Sequence, residues 1–172
     1  MIPVPLSALD ALDRASFAAI CGRFFEGSPW IAQRAWAHRP FASREALHGA
    51  LVREMREASI EERLALIAAH PDLAGALARG DALSPDSRAE QRTAGLEGLV
   101  SEEIALFDSY NAAYKEKFGF PFVICARENK KEAILAAFPA RLWHTRAEEI
   151  DTALGEIAAI ARARLFDTVE EG

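Results

Sequence analysis

The sequence predicts an all-α fold: a single-domain helical bundle over residues 1–172 with one extended interruption at about residues 120–126. Three observations predict it. Apolar residues recur every three or four positions through most of the chain, and residues suited to helix caps stand where those runs begin. The stretch FGFPFVICARE alone breaks the period.

Phe17, Ile20, Cys21 and Phe24 keep the i, i+3, i+4, i+7 spacing of one helix face, and the turn EGSPW ends that helix. Trp30 and Trp36 mark a short helix after it. Ser43 is placed to cap a helix that turns Leu47, Leu51, Val52 and Met55 inward. Ser59 and Glu62 form a capping-box pattern for a helix reaching His70, where Pro71 disfavours the α conformation of the residue before it. Ser84-Pro85-Asp86 supplies an N-cap, a proline at the first helical position and an acid in the first turn. That helix ends near Gly95. Ser101 is placed to cap the next, with Ile104, Phe107, Tyr110, Asn111 and Tyr114 on one side and Gly119 as its stop. Phe120 to Cys125 is apolar and partly β-branched, and Pro121 forbids an ordinary helix interior, so this segment reads as extended and mostly buried. A helix follows near residues 130–138, and the last spans about residues 147–167.

Composition narrows the function. With 172 residues, 51% of them hydrophobic and 27% charged, the chain has enough apolar residues for a sizeable core and reads as a soluble globular protein. A net charge of −6 with no basic patch speaks against nucleic acid as a partner. No apolar run is long enough to span a bilayer, and neither a signal-peptide pattern nor a terminal SKL address is present, so a cytoplasmic protein without membrane association is expected. Cys21 and Cys125 stand in unlike contexts and suggest no disulfide framework.

His38, His48, His70 and His144 show no zinc-ligand spacing, and there is no glycine-rich nucleotide loop, so no metal and no nucleotide cofactor is expected. The apolar neighbours of Cys125 favour an inert core thiol over a nucleophile. His70 is either an ordinary residue before a helix-stopping proline or a titratable ring fixed at a helix terminus. Arg164 lies seven residues after Ile157, only about 20° away on the helix, so it points with Ile157, Ala161 and Leu165 toward the core while Arg162 points away. A guanidinium there is either in a structural salt bridge or available to grip a small anion. Glu90-Gln91 is either a solvated helix face or a donor–acceptor pair for a polar ligand. Together His70, Glu90 and Arg164 could bind and process a small polar acid.

The motifs HPDLAG (70–75), SRAEQRTAGL (87–96), YNAAYKEKFGFPFVICARE (110–128) and ALGEIAAIARARL (153–165) resemble the 2-oxo-4-hydroxy-4-carboxy-5-ureidoimidazoline (OHCU) decarboxylases of urate breakdown. FFEGSPW and FASREALHGAL look alike too, so the resemblance covers nearly the whole chain. It implies an all-helical lyase without cofactors that makes (S)-allantoin and CO2, commonly as a homodimer. It further implies His70 as the catalytic acid/base, with Glu90 and Arg164 as the other catalytic groups. Ser87, Gln91 and the adjoining Arg88 and Ala89 would line the same site, and Pro71 with the backbone of Phe122, Val123, Ile124, Cys125 and Ala126 would contact the substrate. One departure is visible: His144 in RLWH stands where many members have Asn, and it matches no catalytic motif. The alternatives outside this resemblance are a non-enzymatic helical interaction module and a hydrolase acting on a related ureide.

Overall fold

The structure, a computed structural model, describes residues 2–75, 80 and 82–171. In chain order it runs β1 (Val4–Pro5), α1 (Leu6–Asp10), α2 (Arg14–Cys21), α3 (Trp30–Ala35), α4 (Arg44–Glu57), α5 (Ile60–Ala68), α6 (Pro85–Thr93), α7 (Ser101–Phe118), α8 (Lys131–Leu142), α9 (Arg146–Thr168) and β2 (Val169–Glu170). It is predominantly all-α, as the periodicity predicts. Among the described residues no helix is long and apolar enough to cross a membrane. The chain divides into two compact units, residues 1–69 with 158–172 and residues 70–157.

In the first unit, caps set the helix starts. Asp13 accepts the Ser16 N–H at 2.8 Å, and Ser43 accepts the Ala46 N–H at 3.0 Å. Ser59 and Glu62 bond each other's backbone amides at 3.1 and 3.0 Å, the reciprocal box read from the sequence. Each such cap is worth about 1 kcal/mol. Helix α4 buries Leu47, Leu51 and Met55 completely, while Val52 stays at the margin. They join Phe17, Phe24, Ile31, Ala161 and Leu165 among the fully or almost fully buried residues of this unit. Gly22 follows α2 where a Cβ would come within 3.2 Å of Pro29, so the chain turns there through the absence of a side chain. Val4 pairs with Val169 in a parallel two-strand contact. Two residues per strand are too few to show a period, so this pairing is not legible in the sequence.

In the second unit, α6 follows its Ser84-Pro85-Asp86 signal. Helix α7 differs from expectation. Ser101 is its first helical residue rather than its cap, and Val100 holds the cap position with its N–H donated to the Glu103 carboxylate at 3.2 Å. The acid three residues on takes the part that Ser101 was expected to play. Gly119 ends α7 at φ 81°, a left-handed conformation that costs glycine nothing. Helix α8 runs on past Phe138 to Leu142 with Pro139 inside it. An interior proline costs roughly 3 kcal/mol. Buried Arg141, two residues further on, makes the bonds described below. Residues 120–126 are buried without exception, and residues 121–125 form no helix or strand. The Phe122 ring stacks on Phe138 at 3.9 Å between centroids and meets Tyr114 edge-on at 5.2 Å. Aromatic packing thus holds the extended segment against α7 and α8.

Candidate functional site

Helix α6 buries the wrong face for a surface helix. Ser87, Glu90 and Gln91, at i, i+3 and i+4, are 6%, 6% and 3% exposed. Polar groups are costly to bury unless hydrogen-bonded, so this face is where the unit uses polarity. Arg88 is half-buried and Ala89 exposed on the same helix, and the Ala89 carbonyl accepts the Thr93 hydroxyl at 3.0 Å. Those two predicted residues therefore diverge from the buried trio.

Gln91 reaches the loop that carries His70. Its Oε1 accepts the Ala74 N–H at 3.1 Å. Asn111 Nδ2 donates to the Leu73 carbonyl at 3.0 Å, and Lys115 Nζ donates to Asp72 at 2.6 Å. Ala74 has φ 63°, a left-handed conformation that costs a non-glycine residue roughly 1–2 kcal/mol. The bond from Gln91 helps to hold it there. His70 opens this loop and is only 8% exposed, with half-buried Pro71 after it. Helix α5 stops at Ala68, capped by Ala69, so the imidazole sits just beyond the terminus rather than in the last turn.

Around residues 122–126 the backbone is partly engaged. Val123 C=O accepts from Arg141 Nη1 at 2.7 Å, and Cys125 N–H donates to Glu156 at 2.8 Å. Cys125 C=O accepts from Asn129 Nδ2 at 3.0 Å and from the Glu128 N–H at 3.1 Å. Of the backbone expected to contact substrate, the Val123 C=O and the Cys125 N–H and C=O are therefore already engaged by side chains. An isolated extended segment inside a helical unit needs partners for its peptide groups, and side chains provide them. Burial pushes the Cys125 thiol above its usual pKa, with Glu128 adding to the effect, in keeping with an inert core cysteine. Arg127, next along the chain, brings its Nε to 4.0 Å from the Glu90 carboxylate.

Arg164 belongs to the first unit. It is 4% exposed while Arg162 is exposed, as the helical wheel predicts. Its Nη2 donates to Glu26 Oε1 at 3.0 Å and its Nη1 to the Arg23 carbonyl at 3.3 Å. A structural salt bridge is thus present at this arginine.

Three groups of residues escaped the sequence reading as parts of a site: Asn111 as a loop anchor, Arg127 beside Glu90, and a buried cluster of Tyr114, Arg141 and Glu149. The signal for the first was a polar residue in register with Phe107 and Tyr114 on one helix face. His144 joins that cluster through Nδ1, 2.7 Å from Glu149. Among the described residues no group of three or more His, Cys, Asp or Glu side chains is placed to hold a metal ion.

The family model described as OHCU decarboxylase matches residues 10–166. The 2-oxo-4-hydroxy-4-carboxy-5-ureidoimidazoline decarboxylase of Haloferax volcanii is 39% identical over 167 residues, covering 97% of each chain. The protein of that name from Amia calva is 36% identical over 162 residues, 94% of this chain and 93% of its own. A crystal structure of (S)-allantoin synthase is similar at a TM-score of 0.75 and 27% identity over 96% of this chain, which spans 54% of the length of that one. A family match from residue 10 to residue 166, with relatives alike along almost their whole length, makes this chain a member of the OHCU decarboxylase family.

Proposed function

We propose that the chain decarboxylates 2-oxo-4-hydroxy-4-carboxy-5-ureidoimidazoline to (S)-allantoin and CO2, a late step of urate breakdown. The observation that carries this reading is the burial of Ser87, Glu90 and Gln91 on one helix face, in a chain that matches the family from residue 10 to residue 166. A solvated face would leave these side chains exposed, and here they are buried.

The chemistry asks little of a cofactor. The carboxylate sits on a carbon that bears a hydroxyl and adjoins a C=N carbon. When CO2 leaves, its bonding pair forms a C=C bond to that neighbour, and the imine pair moves onto nitrogen, which takes a proton. The resulting enol is protonated at the neighbouring carbon and loses its hydroxyl proton to give the ketone of allantoin. The ring is the electron sink, so the protein has to orient, stabilise charge and move protons. In this proposal His70 transfers the proton on the hydroxyl and carboxylate side, a role worth on the order of 10²–10⁴ in rate. Glu90 accepts from ureido or ring N–H groups, and Arg164 binds a substrate oxygen. Ser87, Gln91, Arg88 and Ala89 line the substrate, while Pro71 and Phe122 to Ala126 contact its flat edge. The same reading takes residues 1–172 as one functional domain without a cofactor, homodimeric and cytoplasmic.

The test is turnover of freshly generated substrate, followed by circular dichroism at an allantoin band. A rate above the spontaneous background, giving one enantiomer, is expected. Background decay alone would refute the proposal in favour of an interaction module, and consumption without CO2 release would point to a ureide hydrolase.

A further inference from the structure

We infer that Arg141, fixed by Glu149, is a positioning residue that holds the Phe122–Ile124 backbone in place for substrate. This rests on the proposed role of that segment as a substrate contact.

Glu149 is completely buried, and its carboxylate is surrounded by donors. Arg141 Nε lies 3.2 and 3.0 Å from its two oxygens, and Nη2 lies 2.8 Å from Oε2. The Tyr114 hydroxyl and His144 Nδ1 complete the set. If the cluster served only to neutralise a charge, the guanidinium would need no further partner. Instead its remaining arm leaves the ion pair: Nη1 donates to the Val123 carbonyl at 2.7 Å. The guanidinium plane also lies over the Phe122 ring, 4.1 Å from its centroid. One planar group therefore fixes both the main chain and a side chain of consecutive residues. A lysine, with a single ammonium centre, cannot serve Glu149 and Val123 in the same geometry. The placement of Pro139 two residues earlier in α8 strengthens the case, since the turn that carries Arg141 is retained despite the lost helix bond.

Two variants separate positioning from stability. Arg141→Lys alters the link to Val123, whereas Tyr114→Phe removes one bond to Glu149 and leaves that link alone. Amide hydrogen exchange across residues 122–126 reads the segment without reference to activity. Steady-state kinetics on OHCU well below the melting temperature reads its consequence. In Arg141→Lys the segment's amides should exchange at least about tenfold faster, with kcat/KM down roughly 10- to 100-fold. In Tyr114→Phe the melting temperature should fall while exchange at 122–126 and kcat/KM stay within about twofold of wild type. Unchanged exchange in Arg141→Lys, equal kinetic losses in both variants, or failure of Arg141→Lys to fold would each overturn the inference. A wild-type chain with no turnover would instead refute the functional reading, while the exchange result would still decide whether Arg141 holds the segment.

Discussion

Replacing Arg164 by lysine tests whether a buried ion pair and a substrate ligand are combined in one residue. The stability side follows from the structure. Arg164 donates to Glu26 at 3.0 Å and, over a longer 3.3 Å, to the Arg23 carbonyl. Lysine keeps the charge but loses the fork, so one bond goes while the ion pair with Glu26 survives in looser form. A hydrogen bond to a charged group is worth about 1.5–3 kcal/mol, and the geometry at Arg23 favours the lower end. For a chain of this length that lowers the melting temperature by roughly 3–6 °C. If Arg164 also grips a substrate oxygen, kcat/KM should fall by about 10- to 100-fold on the same energy scale. Glu26→Gln is the decisive companion. It weakens the same ion pair, so it should cost stability, yet it leaves the guanidinium and should hold kcat/KM within about threefold. Arg162→Lys is the neutral control, because Arg162 is exposed and meets Glu45 only at 3.7 Å. Melting curves and steady-state kinetics on all three variants settle the matter. A lowered melting temperature with wild-type kinetics in Arg164→Lys would reduce this arginine to its salt bridge.

Three further outcomes are expected. His70→Ala should fold and lose about 10²–10⁴ in kcat, and wild-type turnover by the folded variant would remove His70 from the mechanism. Turnover should persist after exhaustive dialysis against EDTA; activity that vanished and returned with one metal would overturn the ring-as-electron-sink chemistry. Burial pushes the Glu149 carboxyl up, but the bonds from Arg141 and Tyr114 outweigh it and hold its pKa below the ordinary 4.5. Its contribution to stability is then full above pH 4.5 and is lost as the pH falls through the lower folded value, so acid melting should be less steep in Glu149→Gln than in wild type. Equal acid slopes would show that Glu149 does not drive the transition.

Much of the fold was legible because helices announce themselves locally. The Ser59–Glu62 box and the Ser84-Pro85-Asp86 start are contained within four residues, and a left-handed stop needs only Gly119. The end of α8 was missed because a tertiary contact overrode a local rule. Pro139 should have ended α8 near Phe138, but Arg141 lies beyond it and bonds a residue eight positions further on and another eighteen positions back. Neither partner is visible in a window of one helix. At α7, serine looked the better cap, yet Glu103 met the need from three residues inside the helix. The site divides in the same way. Burial of Arg164 followed from helical geometry, but the identity of its partner, Glu26, 138 residues away in sequence, did not. The polar face of α6 had no local mark separating it from a solvated one, and the family motif supplied that distinction.

Gln91 and Arg141 show why resemblance alone gives an incomplete account of such a site. The resemblance implies that Gln91 lines the substrate, and its oxygen also accepts a backbone amide at Ala74. Non-helical backbone buried in a helical unit must find partners for its N–H and C=O groups, and among the described residues of this unit no neighbouring strand is there to provide them. Side chains do so on two of the non-helical segments: Gln91 and Asn111 on residues 70–75, Arg141 and Glu156 on residues 120–126. Each such bond satisfies a peptide group and at the same time fixes its position. Satisfying the backbone and preorganising the surface offered to substrate are therefore one requirement here. The residues that meet it sit on helices α6, α7, α8 and α9. A substitution at any of them should loosen its own segment first, before the unit as a whole unfolds.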